Sequence, residues 1–254
     1  MRIRVVSTSN LIAFLKKLKV VDKSVLLELS SENLFSKVHT PDKAVMKFAS
    51  VPLSDVFEGD LDWDSLDCDR IKIGIMDVSR LIDSFRHFRA EEDIFVEIST
   101  TSLEGSCVAT QMKLTSSSLN ITIRCADLSL LSYVEDEILG LVHSKEDYVH
   151  KFQIYQSDFS SIASLCGFET DSDELLEFVV NKDKIVAKGN SFDYKLNVGE
   201  DEIEIADETR DICFYKNQLG YVDIESGEVY IHPNRIVFFS DQSMTSTAVG
   251  LVSK

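Results

Sequence analysis

The sequence has no long hydrophobic run: its uninterrupted apolar stretches are a few residues each, far short of the roughly 20 that cross a bilayer as a helix. No cationic segment leads into an apolar one with a cleavage site, so neither a membrane span nor a signal peptide is expected, and the chain reads as soluble, intracellular and not secreted. Cysteine is sparse. The five stand at 68, 107, 125, 166 and 213 with no Cys-x-x-Cys spacing, which argues against a zinc framework or a disulfide scaffold and points to buried free thiols. Five scattered histidines include no pair at i, i+4 around a glutamate, so a zinc hydrolase site is not expected. A glycine-rich phosphate loop, a Gly-x-Ser-x-Gly elbow and a spaced carboxylate pair are all missing. The run Asp60 to Asp69 departs from a calcium loop, with Ser65 at its sixth position and Ile71 at its twelfth, and reads as a solvated acidic connection. No catalytic residue, metal or cofactor is therefore expected. Cations are in deficit too: 26 Lys and Arg against 43 Asp and Glu give a net charge of −17, which in the mean repels nucleic acid and membranes.

What is present is a pattern met four times: an alternating strand, a short amphipathic helix and a second apolar strand. The copies open at Ile3-x-Val5, Ile71-x-Ile73-x-Ile75, Phe152-x-Ile154 and Ile212-x-Phe214. The step from the last apolar strand residue to the first buried helix residue (Leu11, Leu81, Phe159, Leu219) is six residues in the first two copies and five in the last two. The second strands are Val25 to Ser30, Ile94 to Ser99, Leu175 to Val180 and Val229 to Ile231. A recurrence on this scale means equivalent supersecondary units, and 254 residues bury about 70 to 75 % of their unfolded surface, enough for one large or two medium domains.

Period-two alternation adds strands near 33–39, 44–51, 107–115, 119–125, 184–189, 192–198, 235–240 and 245–252. Helix caps are expected at Ser7, Thr8 or Ser9, at Asp77, and at Ser157 or Asp158. The alternation lapses between Asp127 and Tyr148. That gives a first domain over residues 1–127, a connector over 128–147 and a second domain over 148–254, each domain a doubled βαβββ unit.

Projection at 100° per residue places Leu11, Ile12, Phe14, Leu15 and Leu18 on the buried arc of the first helix and Lys16 and Lys17 opposite, with Lys19 at the margin. The second helix buries Val78, Leu81, Ile82, Phe85 and Phe88; Arg80 and His87 face away, and Arg86 and Arg89 lie nearer the core edge. The third helix buries Phe159, Ile162, Ala163, Leu165 and Cys166 and shows Ser160, Ser161 and Ser164 but no cation. The fourth shows Lys216, Asn217 and Tyr221. Residues 1–146 hold 17 of the 26 cations and 23 of the 43 acids, a net of −6 against −11 for the rest.

Two tandem doubled βαβββ domains, basic helix faces in an acidic chain and a long connector resemble a DNA polymerase sliding clamp, closest in pattern to the two-domain type of proliferating cell nuclear antigen and of T-even-like phages. The stretches carrying the resemblance are Lys151 to Leu165, Lys182 to Ala187, Arg235 to Ser240 and Ala248 to Val252. It implies an α+β DNA clamp fold with antiparallel sheets outside and helices on the inner face. The implied function is that of a processivity factor, a homotrimeric ring around double-stranded DNA that makes no sequence-specific contacts and tethers the replicative polymerase and other DNA-processing proteins. A clamp loader is a further implied partner, and the implied location is replicating DNA, in host cytoplasm if phage-encoded or the nucleus if eukaryotic. By resemblance the DNA-facing residues are Lys16, Lys17, Lys19, Arg80, Arg86, His87, Arg89, Ser160, Ser161, Ser164 and Lys216. Subunits would join along Cys107 to Leu114, with Val108 and Gln111, and along Phe192 to Val198, with Tyr194 and Leu196. Partner tails would dock at Ile138, Leu139, Leu141 and Val142, with Pro233, Leu251 and Val252 nearby. A monomeric or dimeric accessory factor, or a hetero-ring scaffold working through protein contacts, fits the same pattern.

Overall fold

The computed structural model describes residues 1–59, 63, 68–103, 106–134, 148, 150–168, 174–181, 184–199, 203–205, 212–222, 226–232, 236–241 and 245–250. The chain divides into two compact units, Met1–Pro41 with Phe48–Tyr133, and Asp42–Lys47 with Val134–Lys254.

The first unit runs β1 (Arg2–Val5), α1 (Thr8–Lys19), β2 (Val25–Leu29), β3 (Asn33–His39), β4 (Val45–Pro52), α2 (Leu53–Val56), β5 (Phe57–Glu58), β6 (Ile71–Ile75), α3 (Val78–Arg86), β7 (Phe95–Leu103), β8 (Ser106–Thr115) and β9 (Asn120–Arg124). Its pairing explains the recurrence. The opening strand of each repeat pairs with the second strand of the other, β1 with β7 and β6 with β2, both antiparallel. A single repeat would leave its opening strand without that partner, so two repeats are the smallest unit that closes. The hairpin β7–β8 carries a bulge at Ser99/Thr100, and β9 completes the meander on β8. Where β8 begins it also meets β6 in parallel, Ile71 opposite Cys107.

That parallel contact overturns the reading of Cys68 and Cys107 as free thiols: the two form a disulfide with Cα atoms 6.0 Å apart. Their 39-residue separation hides a proximity that only the β6–β8 register creates. Cys125, Cys166 and Cys213 take no part in that disulfide, and burial pushes the Cys125 thiol up to about 11, which leaves it unreactive.

Every residue of β2 is buried, although helices cover only one face of a sheet layer. The other face is closed by the chain just after β9, where Ala126 and Leu131, with Leu128 alongside, pack on Leu26. On that face Glu28, 3 % exposed, pairs with Lys37 at 3.3 Å and Arg70 at 3.5 Å. Gly74 of β6 permits the approach: its carbonyl accepts from Ala126 N–H at 2.8 Å, and a Cβ there would lie 2.5 Å from Ala126 O. Backbone cannot swing aside as a side chain can, so Gly74→Ala is expected to cost about 1 to 3 kcal/mol, read as a lowered urea midpoint at unchanged slope.

The second unit repeats the scheme with β10 (His150–Tyr155), α4 (Gln156–Phe168), β11 (Leu175–Asn181), β12 (Lys184–Lys188), β13 (Asp193–Lys195), β14 (Ile203–Ile205), β15 (Ile212–Tyr215), a 3-10 helix (Lys216–Tyr221), β16 (Ser226–His232), β17 (Ile236–Asp241) and β18 (Thr245–Gly250). Here β10 pairs with β16 and β11 with β15, the same exchange. The segment Asp42–Lys47 belongs to this unit, with Gly250 N–H donating to Ala44 O at 2.9 Å. The core is a run of aromatic contacts, Phe152 to Phe178 at 5.7 Å, Phe178 to Phe214 at 5.7 Å and Phe214 to Phe239 at 6.2 Å, set among aliphatic residues of both sheets.

Elements α2, β5 and β14 escape sequence reading because two to four residues cannot display a period. The strand over 192–198 shortens to β13. In α4 the residues expected on the buried side are only partly so: Ile162 is buried, Phe159, Leu165 and Cys166 are half-buried and Ala163 is exposed. Asp158 is itself buried there.

Candidate nucleic-acid interface and sheet edges

Ser7 caps α1, its Oγ accepting from Asn10 N–H at 3.2 Å, and Asp77 caps α3, its Oδ1 accepting from Arg80 N–H at 3.1 Å. Val6 and Met76 stand just before these caps and Leu11 and Leu81 four residues after them. These are the sequence positions of a hydrophobic staple, with Val6 and Met76 each 51 % exposed. Helix α1 buries Leu11, Phe14, Leu15 and Leu18, and α3 buries Val78, Leu81, Ile82 and Phe85, with Phe88 buried just beyond it.

The two helices pack against each other, so their outer residues share one layer of the first unit. Lys16, Lys19, Arg80, Arg86, His87 and Arg89 are exposed there and Lys17 is half-buried. Arg86 and Arg89, expected near the core edge, are fully outside. The acid within this layer is Asp83, which accepts from Arg86 Nη1 at 2.9 Å. Helix α1 has no acid at all. Its three lysines sit in the last turn, where the helix dipole favours positive charge. Cations are therefore tolerated locally while their charge stays directed at solvent.

In the second unit Ser160 and Ser164 are exposed, and Ser161 is half-buried with its Oγ donating to Ser157 O at 2.7 Å. Lys216 is a correction. It is 5 % exposed and ion-paired with Glu174, so it presents no charge outward. The reason is its partner: Lys216 N–H donates to Glu174 O at 3.1 Å and its ammonium pairs with the Glu174 carboxylate, a residue 42 positions away that no helix projection contains.

The sheet edges also differ from the sequence reading. Strand β8, with Cys107, Val108, Gln111 and Leu114, is not an edge: it lies between β7 and β9, Cys107 is in the disulfide and Leu114 is fully buried. Beyond β8 the terminal strand among the described residues is β9, the last strand of the meander. A sequence pattern marks strands but not which has only one neighbour. Strand β13 is an edge of its four-stranded sheet as expected, although Leu196 just beyond it is buried and Phe192 and Tyr194 pack against the core. Between β9 and the start of α3 runs a groove of about 320 Å³, lined among others by Met76, Arg80, Leu81, Ile121, Ile123 and Arg124. Ile138, Leu139, Leu141, Val142, Pro233, Leu251 and Val252, expected to receive partner tails, lie outside the described residues.

No protein-family model matches the chain, and no curated protein matches it significantly. Solved structures do. The PCNA of A. fulgidus, determined with the C-terminal region of FEN-1 bound, aligns at TM-score 0.66 and 12 % identity over 100 % of this chain and 98 % of that one. The chain has the sliding-clamp fold. A putative DNA polymerase III beta subunit from Eubacterium rectale gives 0.70 at 14 % identity, covering 100 % of this chain and 66 % of that one. The PCNA2–PCNA3 complex of Sulfolobus tokodaii gives 0.64 at 11 % identity, covering 100 % of both chains. The cationic layer of α1 and α3 is the helix layer of the first unit, and among the described residues β5, β9, β13, β14 and β15 are terminal strands of their sheets.

Among the described residues no group of three or more His, Cys, Asp or Glu is placed to hold a metal, and no helix is long and apolar enough to cross a membrane.

Proposed function

We propose that the chain is a DNA polymerase processivity factor: a ring of copies of itself, a homotrimer, that encircles duplex DNA, reads no sequence and tethers the replicative polymerase after a clamp loader has placed it. The observation that carries this reading is the outward-facing cations of α1 and α3 on a clamp fold whose net charge is −17. Contacts to phosphate carry no sequence information, so a basic lining lets a ring slide, while an acidic remainder keeps DNA off other surfaces. The work required is topological, with no bond made or broken, and it belongs inside the cell at replicating DNA. A connector over residues 128–147 offers the segment for polymerase and other partners.

The serine face of α4 supports a second reading, a hetero-ring or accessory scaffold that meets DNA through one unit only and otherwise binds protein. A single experiment separates the two. The purified chain is loaded on nicked circular DNA, isolated by gel filtration, and the circle is then cut once. The ring reading expects a mass near three chains in solution, retention on the circle, and loss of the protein on linearisation as it slides off the ends. A stable monomer, or equal retention on circle and line, overturns it.

A further inference from the structure

We infer that the Cys68–Cys107 disulfide is a redox latch on a seam of the first unit, closed by oxidation and opened by dithiol reductants of the cell. The inference rests on the reading that the chain works inside the cell, where a disulfide is unusual and, when present, is most often transient and redox-sensing.

The seam is narrow. In the first unit β2, β3 and β6 pair among themselves, and so do β1, β5, β7, β8 and β9. Among the described residues pairing joins these two sets of strands in one place, β6 against β8. That junction is parallel and two register pairs long, Ile71 opposite Cys107 and Lys72 opposite Val108. Parallel pairing is slightly the weaker kind per residue. The disulfide lies on it: Cys107 is one of the paired residues, and Cys68 stands three residues before Ile71.

The two ends of β6 are held differently. At the far end Gly74 O accepts from Ala126 N–H at 2.8 Å, so the chain after β9 ties β6 down there. At the near end the disulfide takes that part. Its β8 side sits on a hairpin tip: β7 and β8 pair regularly from Phe95–Thr115 to Ser99–Gln111, shift at the Ser99/Thr100 bulge, and continue from Thr100–Ala109 to Leu103–Ser106. A bulge disrupts the ladder and bends the strand, so the tip carrying Cys107 is free to swing about it once the cross-link to β6 is gone.

Such a pair meets both requirements of a switch. Few contacts bring its sulfurs together, so the effective concentration of one thiol for the other is modest and the disulfide is correspondingly easy to reduce. It is also within reach. Cys68 is half-buried and followed by exposed Asp69 and Arg70, whereas Cys107 is 7 % exposed, so an incoming thiolate attacks Cys68 Sγ. That attack forms a mixed disulfide at Cys68, and Cys107 leaves as a thiolate that takes up a proton. The second thiolate of the reductant attacks the reductant's own sulfur in the mixed disulfide and frees Cys68, which is protonated in turn. Two electrons and two protons pass to the protein and the dithiol becomes a cyclic disulfide; the same steps reversed close the latch.

The test equilibrates the full chain in glutathione buffers, traps its thiols by alkylation and reads Cys68 and Cys107 by peptide mass. The pair should be mostly disulfide with oxidised glutathione in excess, and mostly thiol in about 10 mM glutathione at a reduced-to-oxidised ratio of about 100:1. A pair still disulfide at that poise is a static cross-link and overturns the latch, as does a pair that stays thiol under excess oxidant. On reduction, hydrogen exchange of the amides at 71–73 and 106–109 should quicken by about 10-fold or more, while Ala126 N–H keeps its protection. Equal exchange in the two states overturns the seam as what the latch holds. Cys68→Ser, at a half-buried position, should exchange like the reduced parent in every buffer; a variant that still responds assigns the effect to another cysteine and overturns the proposal. These readouts involve neither DNA nor a second copy, so a chain that passes them and fails on circular DNA keeps the latch and loses the ring.

Discussion

Changing Lys16, Lys19 and Arg80 together to glutamate is expected to lower affinity for duplex DNA by about 100-fold at low salt and to flatten the salt dependence by about three counterions. The three side chains are exposed on the layer where α1 packs on α3, and none has an ion-pair partner among the described residues. Their replacement therefore leaves no buried charge behind. The cost to the fold is small but has a sign. Lys16 and Lys19 lie in the last turn of α1, so glutamate there opposes the helix dipole by about 0.3 to 1 kcal/mol each. Glutamine at the same positions separates the two effects, since it removes the cation without adding an anion at the dipole's negative end. Fluorescence anisotropy with a duplex of arbitrary sequence is the measurement, and processivity on a primed template is its functional counterpart. Lys43→Glu, exposed in the turn after β3, is the control and should change neither. If the triple variant binds and stimulates like the parent, the helix layer is not the DNA-facing surface.

Phe214→Ala carries the largest expected effect on stability, about 3 to 5 kcal/mol. Phe214 is fully buried in β15 and its ring touches Phe178 of β11 and Phe239 of β17, which belong to the two sheets of the second unit. Removing it opens a cavity that rigid β-strands on both sides cannot collapse into. Such a loss is a large part of the 5 to 15 kcal/mol that holds a typical domain. Hydrogen exchange of β11 and β15 amides should accelerate by two orders of magnitude or more. Tyr215→Ala one residue on, with its side chain 38 % exposed, is expected to change stability by less than about 1 kcal/mol. Equal effects at the two positions would refute the two-sheet core as the source of stability.

The strands and helices were legible in the sequence because each element longer than about five residues buries one face and so writes its own period. Helices α1 and α3 follow that rule closely: Leu11 and Leu81 face inward, Lys16 and Arg80 outward, and Ser7 and Asp77 cap them. Where local geometry departed from the assumed one the reading failed. Lys216 faces inward to pair with Glu174, 42 residues away, which no helix projection contains. Asp158 stands in α4 where an N-cap was sought, yet its carboxylate serves β13 instead. Cys68 and Cys107 looked unrelated because nothing in their spacing encodes a parallel contact between β6 and β8.

The sequence by itself determined the fourfold repeat, the two compact units' worth of strands and the sorting of cations onto two helices, since these depend on which side chains leave water and such preferences are written residue by residue. Tertiary structure alone decided which strands have a free edge, which cysteines meet and where Glu28, Asp158 and Lys216 find their partners. Those outcomes depend on pairing between segments tens of residues apart, and hydrogen bonds between distant backbones leave no trace in the order of the side chains.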